Sequence, residues 1–315
     1  MKICITAANC FIGLPLVKKA AELGWEVIAV VRVGNKQKDF IATIQNTKVI
    51  ELNLEDYDQL GALVGPVDCA VLLTWNGTRG KARLDDELQK TNYENNMKAV
   101  KSLIDYGCKR IITAGSQAEY GISNEMISEK TECKPNTAYG KYKVLFYKDA
   151  YNYCKENNVS LKEPRFFSLY GPGDYENTLI MSNIKKMRAN ETCDMTPCTQ
   201  MWDYLFVDDA IEGIIGLCHK ECDDGAYNFG SGDCRQLKDF VQEMKSILKS
   251  DSKLNFGTVP YTAAGIVSIQ PDIHRLKSTG WKPKVSFKDG VEKIVKAMEL
   301  SLIHISEPTR RRGIS

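Results

Sequence analysis

Three side chains in the middle of the chain carry the groups needed to pass a proton to or from an oxygen. Tyr139 and Lys143, in "AYGKYK", are four residues apart and share one face if the segment is helical. An ammonium beside a phenol lowers the phenol's pKa from about 10 toward working pH, which makes it a proton donor and acceptor. The spacing alone is cheap, since Tyr151 and Lys155 repeat it and read as ordinary helix surface. Tyr139 is preferred because "KPNT" precedes it: Pro135, Asn136 and Thr137 make a good helix start. Ser116, in "TAGSQAEYG", follows an apolar run that reads as a strand. That places its hydroxyl at the carboxyl edge of a sheet, where open α/β folds bind ligands, and where it could hydrogen-bond a carbonyl or alkoxide. A plain turn serine is the other reading. The three together on one sheet edge weigh more than any one alone.

A second group of residues has the chemistry of phosphate recognition. "TAANCFIG" (6–13) lies between an apolar run and a helical pattern. A turn there lets backbone N–H groups meet a pyrophosphate at a helix N-terminus. Such turns usually carry three glycines, and here only Gly13 is present, with Ala7 and Cys10 adding side chains. An ordinary strand-to-helix turn stays open as an alternative. At the end of the next strand a carboxylate would bind the ribose 2′-hydroxyl of NAD. The sequence instead has Arg32, Lys36 and Lys38, with no acid before Asp39, which suits the 2′-phosphate of NADP. A solvated basic cluster is the alternative.

The elements that must position these groups alternate. "KICIT" (2–6), "WEVIAVVR" (25–32), "KVIEL" (48–52), "CAVLLT" (69–74) and "RIITAG" (110–115) read as strands. "LPLVKKAAELG" (14–24), "NYENNMKAVKSLIDYG" (92–107) and Tyr139 to about Asn157 read as helices. Short apolar strands separated by helices predict a doubly wound, parallel α/β sheet covered on both faces. After "LKEPRFFSLYGPGD" (161–174) the pattern loosens into a smaller, less regular lobe. "YNFGSG" (227–232) reads as a further strand end, so the two lobes interleave. The division expected is residues 1–172 with about 203–235 as the nucleotide-binding domain. About 173–202 and 236–299 then form the substrate lobe.

Composition narrows the class. The 315 residues are 43% apolar and 26% charged, ordinary for a globular protein with a sizeable core. A net charge of +2 gives no electrostatic reason to expect nucleic acid or an anionic membrane as partner. No apolar stretch approaches 18 residues and no secretory signal opens the chain, so the expected compartment is the cytoplasm. The 11 cysteines, an odd number without close pairing motifs, fit reduced thiols there. "CHKEC", with Cys218, His219 and Cys222, lacks a second ligand pair at zinc-like spacing, so no metal is expected.

"TAANCFIG", "TNYENN" with Asn92, "GSQAEYG", "YGKYK", "PRFFSLYGPGD", "WDYLFVDDA" and "GAYNFGSG" occur in that order. The series resembles the extended short-chain dehydrogenase/reductase family, in its nucleotide-sugar epimerase/dehydratase/reductase group, over about residues 2–299. The resemblance implies a Rossmann domain holding NAD(P), a nucleotide-sugar substrate, hydride transfer at C4 of the sugar, and a homodimer joined through a four-helix bundle. It makes Tyr139 the acid/base. Lys143 lowers the Tyr139 pKa and holds the nicotinamide ribose, and Ser116 orients the sugar oxygen. It puts Thr6, Ala7, Asn9, Cys10, Phe11, Ile12 and Gly13 at the cofactor's phosphates. Arg32, Asn53, Leu54, Leu73 and Phe166 complete the cofactor site. Thr74, Ser116, Gln117, Ser168, Tyr175, Asn177 and Trp202 fall to the substrate.

Departures from the family pattern sharpen the expectation. Dehydratases of the group follow the active-site Ser/Thr with Asp-Glu, and here Gln117 and Ala118 stand there, which argues against a 4,6-dehydratase. Trp202 replaces an Arg that often meets substrate phosphate, and Ser168 replaces a common Asn. A 4-keto-6-deoxyhexose reductase is the expected activity. A 4-epimerase is the runner-up, and a non-catalytic NAD(P)-binding sensor is the rival of another class. Finally, "LSLIHISEPTR" (300–310) resembles the conceptual translation of a sequencing-library adapter. Residues 300–315 are therefore kept out of fold reasoning.

Overall fold

A computed structural model describes residues 1–261 and 268–306. Its centre is an eight-stranded parallel sheet. The strands are β1 (Lys2–Thr6), β2 (Glu26–Val31), β3 (Thr47–Glu51), β4 (Cys69–Leu72), β5 (Arg110–Thr113), the short β6 (Gly115–Ser116), β7 (Ser160–Phe166) and β8 (Gly225–Phe229). They run in the order β8-β7-β5-β4-β1-β2-β3, with β6 beside β7. Strand order reverses between β1 and β4, the switch point at which doubly wound sheets open a ligand crevice. The expected Rossmann-type architecture is thus present.

The sheet forms because its strands are apolar nearly throughout. Ile3, Ile5, Val27, Ala29, Val71 and Ile112 face one core layer, and Cys4, Ile28, Val30, Ala70 and Ile111 the other. Burial on both faces is what a parallel sheet requires. Helices α1 (Gly13–Glu22), α2 (Lys38–Ala42) and α3 (Leu60–Val64) follow β1, β2 and β3 in the chain. The two long helices α4 (Asp86–Asp105) and α5 (Ala138–Glu156) pack together over the second layer. Helix α4 begins at Asp86 rather than near residue 92, because Asp85 caps it by accepting from the Leu88 N–H at 3.1 Å. Helix α5 begins where "KPNT" predicted: the Thr137 hydroxyl accepts from the Gly140 N–H at 3.1 Å.

Helix α4 also carries a polar stripe on its inner face. Asn92 clamps the Asn76 backbone, accepting its N–H and donating to its C=O, both at 2.9 Å. Asn96 donates to Thr74 O at 3.1 Å, and Gln89 donates to the carbonyls of Gly77 and Ala82. These amides satisfy the backbone of the segment after β4, which has no ladder partner of its own.

The rest of the described chain is built from α6 (Leu179–Arg188), α7 (Val207–His219), α8 (Leu237–Ile247), α9 (His274–Ser278), α10 (Phe287–Ser306) and three two-stranded pairs. Two motif aspartates tie these parts to the sheet. The Asp203 carboxylate accepts from the Ser231 and Gly232 N–H groups, and Asp209 from those of Lys284 and Val285. Helix α10 does not stop at residue 299 but runs through Ser306. Residues 307–315 of the excluded tail, and 262–267 of the expected substrate lobe, lie outside the described residues.

The turn from β1 into α1 departs from a glycine loop in a measurable way. Ala7 sits at φ +48°, the left-handed region where a methyl group is strained. Gly13 is obligatory: a Cβ there would lie 2.3 Å from Ala7 O. Ala7→Gly is expected to stabilise the fold by about 0.5–1 kcal/mol, the relieved strain being partly offset by unfolded-chain entropy. A higher urea midpoint at unchanged m would show it.

Candidate active site

The loop at residues 7–12 and the segments after β2, β3 and β4 border a cleft of about 480 Å³. Ala7, Asn9, Cys10, Phe11 and Ile12 line it from that loop, together with Arg32, Leu54, Leu73, Thr74, Trp75, Arg79 and Tyr175. Helix α1 points its N-terminus at this space, and no side chain of its N-cap residue, Ile12, caps it. The Gly13 N–H is taken instead by Cys10 Sγ at 3.2 Å. Sulfur is a weak acceptor, and a phosphate oxygen is a stronger one, so the site suits an anion. Burial pushes the Cys10 thiol up, which keeps it neutral beside such an anion. The residues therefore fit a dinucleotide cofactor.

Six of the expected cofactor residues do not line the cleft: Tyr139 and Lys143, behind Trp75, and four that frame it. Thr6 is sealed from solvent, and its hydroxyl accepts from the N–H groups of Leu73 (2.9 Å) and Thr74 (3.3 Å). Gly13 lies under the loop, and Asn53 accepts from the Val33 N–H at 3.3 Å. Phe166 is buried edge-on to Phe229. Of the basic residues after β2, Arg32 lines the cleft and donates to Asn76 Oδ1 at 3.1 Å. Lys38 is held by Glu51 at 2.7 Å, whose carboxylate also accepts from the Gly34 N–H.

Ser116, Tyr139 and Lys143 come together behind Trp75. The Lys143 ammonium sits 3.7 Å from the Trp75 ring centroid and 6.0 Å from that of Tyr139, and the Trp75 and Tyr139 rings meet edge to face at 6.4 Å. Lys143 Nζ donates to Ala114 O at 2.7 Å. Burial lowers its pKa to about 8, against the pull of Glu119 and Glu163. The expected lowering of the Tyr139 pKa is corrected here: burial dominates and pushes it up to about 12. The Ser116 hydroxyl and the Arg83 guanidinium draw it down, while Glu119 and Glu163 add to the rise. The sign differs because a group with 7% of its surface exposed has lost the water that would solvate a phenolate.

Beneath the three lies a buried ionic cluster that sequence pattern gave no reason to assemble. Arg165 Nε, from β7, lies 2.8 Å from Glu119 Oε2 and 2.9 Å from Glu163 Oε2. Glu119 also accepts from the Ser116 N–H at 2.7 Å, and Ser116 Oγ from the Ala118 N–H at 3.2 Å. This capping box fixes the turn Gln117–Glu119 that presents Ser116. Gln117 is half-buried on that turn and lines neither large cavity near the site.

A second cavity, of about 410 Å³, adjoins the first through Phe11, Ile12 and Arg79. Ser168 and Trp202 line it together with Asp174 and Tyr204. The buried Trp202 Nε1 has no hydrogen-bond partner, so a donor stands ready on its wall. Arg79 bridges the two cavities: it pairs with the buried Asp174 at 3.4 Å and stacks on the Tyr175 ring at 4.0 Å. Asn177 is exposed and lines neither cavity. Tyr151 and Lys155 lie along α5, Tyr151 packed against Tyr147 and Lys155 exposed. His219, of the "CHKEC" stretch, packs edge-on to Trp25.

Sequence reasoning passed over Trp75, Arg79, Arg83, Asp174 and the Glu119–Arg165–Glu163 cluster. The available signal was a charged pair, Glu163 and Arg165, inside a strand whose neighbours are buried apolar residues.

Comparison with known proteins agrees with this architecture. The chain is 24% identical over 303 residues to CDP-abequose synthase of Salmonella muenchen, covering 95% of this chain and 98% of that one. It is 26% identical over 224 residues to dTDP-4-dehydro-6-deoxyglucose reductase of Escherichia coli, covering 69% and 70%. The solved UDP-glucose 4-epimerase of Thermotoga maritima, with UDP-glucose, superposes with a TM-score of 0.86 at 21% identity, over 96% of this chain and all of that one. A family model matches residues 3–230, and with its loop, sheet order and Ser116–Tyr139–Lys143 group the chain belongs to the NAD dependent epimerase/dehydratase family.

Proposed function

We propose that the protein is an NAD(P)-dependent reductase of a nucleotide-activated 4-keto-6-deoxy sugar. The observation that carries this is the meeting of Ser116, Tyr139 and Lys143 behind a cleft that fits a dinucleotide. Gln117 and Ala118, where dehydratases carry an Asp-Glu pair, support reduction over water elimination. The names of two relatives, CDP-abequose synthase and dTDP-4-dehydro-6-deoxyglucose reductase, point to the same substrate class. A nucleotide-sugar 4-epimerase remains the runner-up.

On this reading the loop from Ala7 to Gly13 would hold the cofactor's pyrophosphate, with Leu54 and Leu73 lining the same cleft, and Arg32 would meet a 2′-phosphate. Bound there, the cofactor supplies the hydride. Ser116 hydrogen-bonds the C4 oxygen and Tyr139 Oη gives it a proton, so ketone, hydride and proton become an alcohol. The Lys143 ammonium offsets the negative charge this leaves on Tyr139. Residues 173–202 and 236–299 form the substrate lobe, with Ser168, Trp202 and Arg79 facing the sugar nucleotide. Helices α4 and α5 pair with those of a second copy to form the dimer.

Titration of the protein ending at residue 299 with NADPH and NADH, followed by fluorescence, is expected to give micromolar binding with NADPH preferred. Arg32→Asp should reverse the preference by about tenfold or more, since a charge-assisted bond is lost and a ribose acceptor gained. Absence of binding for both up to millimolar concentration, in folded protein, would sink the catalytic reading. Consumption of NADPH with a 4-keto nucleotide sugar is expected, whereas NAD that copurifies and survives turnover would mark an epimerase.

The pH dependence follows from Lys143, whose pKa is depressed to about 8. The ammonium is present below that value and lost above it. Accordingly, kcat/KM for reduction should fall as pH rises through about 8, and Lys143→Arg should move that limb to higher pH.

A further inference from the structure

Arg83 sits on the short turn Gly80–Leu84, and nothing in its spacing marks it. Its guanidinium carbon lies 4.9 Å from the centroid of the Tyr139 ring. Its Nε is buried and has no hydrogen-bond partner, although a guanidinium is built to use all its donors. Among the described residues no carboxylate forms an ion pair with it, whereas Arg79 on the same segment has Asp174 and Tyr175. The turn itself is anchored: Gln89 donates to Ala82 O at 2.9 Å, so Arg83 springs from a fixed base.

The other charges around Tyr139 are already committed. Glu119, on the Ser116 turn, and Glu163, on β7, oppose a phenolate, and the Arg165 guanidinium is shared between them. Lys143, one turn along α5, donates a hydrogen bond to Ala114 O and lies on the Trp75 face. Ser116 offers a neutral hydroxyl. That leaves Arg83 as the uncommitted cation against the ring, and a cation at this distance favours a negative partner.

We propose that Arg83 is a positioning residue for Tyr139: it holds the ring from one face and supplies the positive charge that a phenolate at Tyr139 Oη needs. This rests on the reading of Tyr139 as the acid/base. A guanidinium suits this place because its planar, delocalised cation stacks on an aromatic face.

The test needs neither substrate nor cofactor. A difluorotyrosine placed at position 139, whose fluorines lower the phenol's own pKa into the accessible range, is followed by fluorine NMR as pH is raised. Arg83→Met is expected to move the midpoint upward by about one unit or more, the size expected when an opposite charge within reach is removed. Arg83→Lys, which keeps a charge on a similar stem, should recover most of it. Arg83→Gln serves in place of Arg83→Met if the latter does not fold. An unmoved midpoint in the neutral variants, or equal shifts in the Lys and Met variants, would overturn the proposal. Turnover of a 4-keto nucleotide sugar by the unmodified protein is measured separately, so an inactive enzyme and an idle Arg83 give different results.

Discussion

The site depends on one buried arrangement, the Arg165 guanidinium between the carboxylates of Glu119 and Glu163. All three side chains are almost wholly withdrawn from water. A buried charge left without its partner costs about 3–5 kcal/mol, so Arg165, the one cation between two carboxylates, is the member whose loss costs most; burial and the neighbouring Glu119 push the Glu163 carboxyl up. Their effect reaches the surface of the site in two steps. Glu119 caps the turn that presents Ser116, and α5 closes on that turn so tightly that a Cβ at Gly140 would lie 2.3 Å from Ala118 O. Strand β7, the Ser116 turn and the start of α5 are thus one mechanical unit. The excess of carboxylate favours the charged form of Lys143 and opposes ionisation of Tyr139. The same cluster that fixes the geometry therefore sets the electrical background against which the proton moves.

Much of this was legible because it is local. The strands of the sheet announce themselves by apolar runs, and α5 by Pro135 and Thr137, so the placement of Tyr139 in its first turn follows from short-range pattern. The parallel class follows from alternation of strand and helix. What the sequence could not convey are meetings of residues far apart in the chain. Trp75 touches Lys143, and Arg83 touches Tyr139, only because α4 holds the segment after β4 against α5 through Asn92, Asn96 and Gln89. The direction of the Tyr139 shift was misjudged for a related reason. Spacing supplies the neighbour four residues on, but desolvation is a property of everything packed around the ring.

The glycine loop illustrates how far a motif can drift while its geometry persists. Ala7 keeps the left-handed backbone that a glycine would adopt without strain. Cys10 uses its own sulfur to satisfy a helix-terminal N–H that an incoming anion would otherwise find unpaired. Gly13 is the position where steric space is absent altogether, and it is the one glycine retained. The loop thus separates what a phosphate-binding turn needs for its shape from what it merely prefers.

Trp75 has a consequence of another kind. It lines the cleft and its indole meets Lys143 and Tyr139, and Gln89 anchors its N–H at 2.7 Å. An aromatic ring with an ammonium on its face has electronic levels that respond to that charge. The protein therefore contains an optical probe at the junction between its ligand space and its proton-transfer pair. A ligand in the cleft and the charge on Lys143 would thus both act on one indole, which lines the first and faces the second.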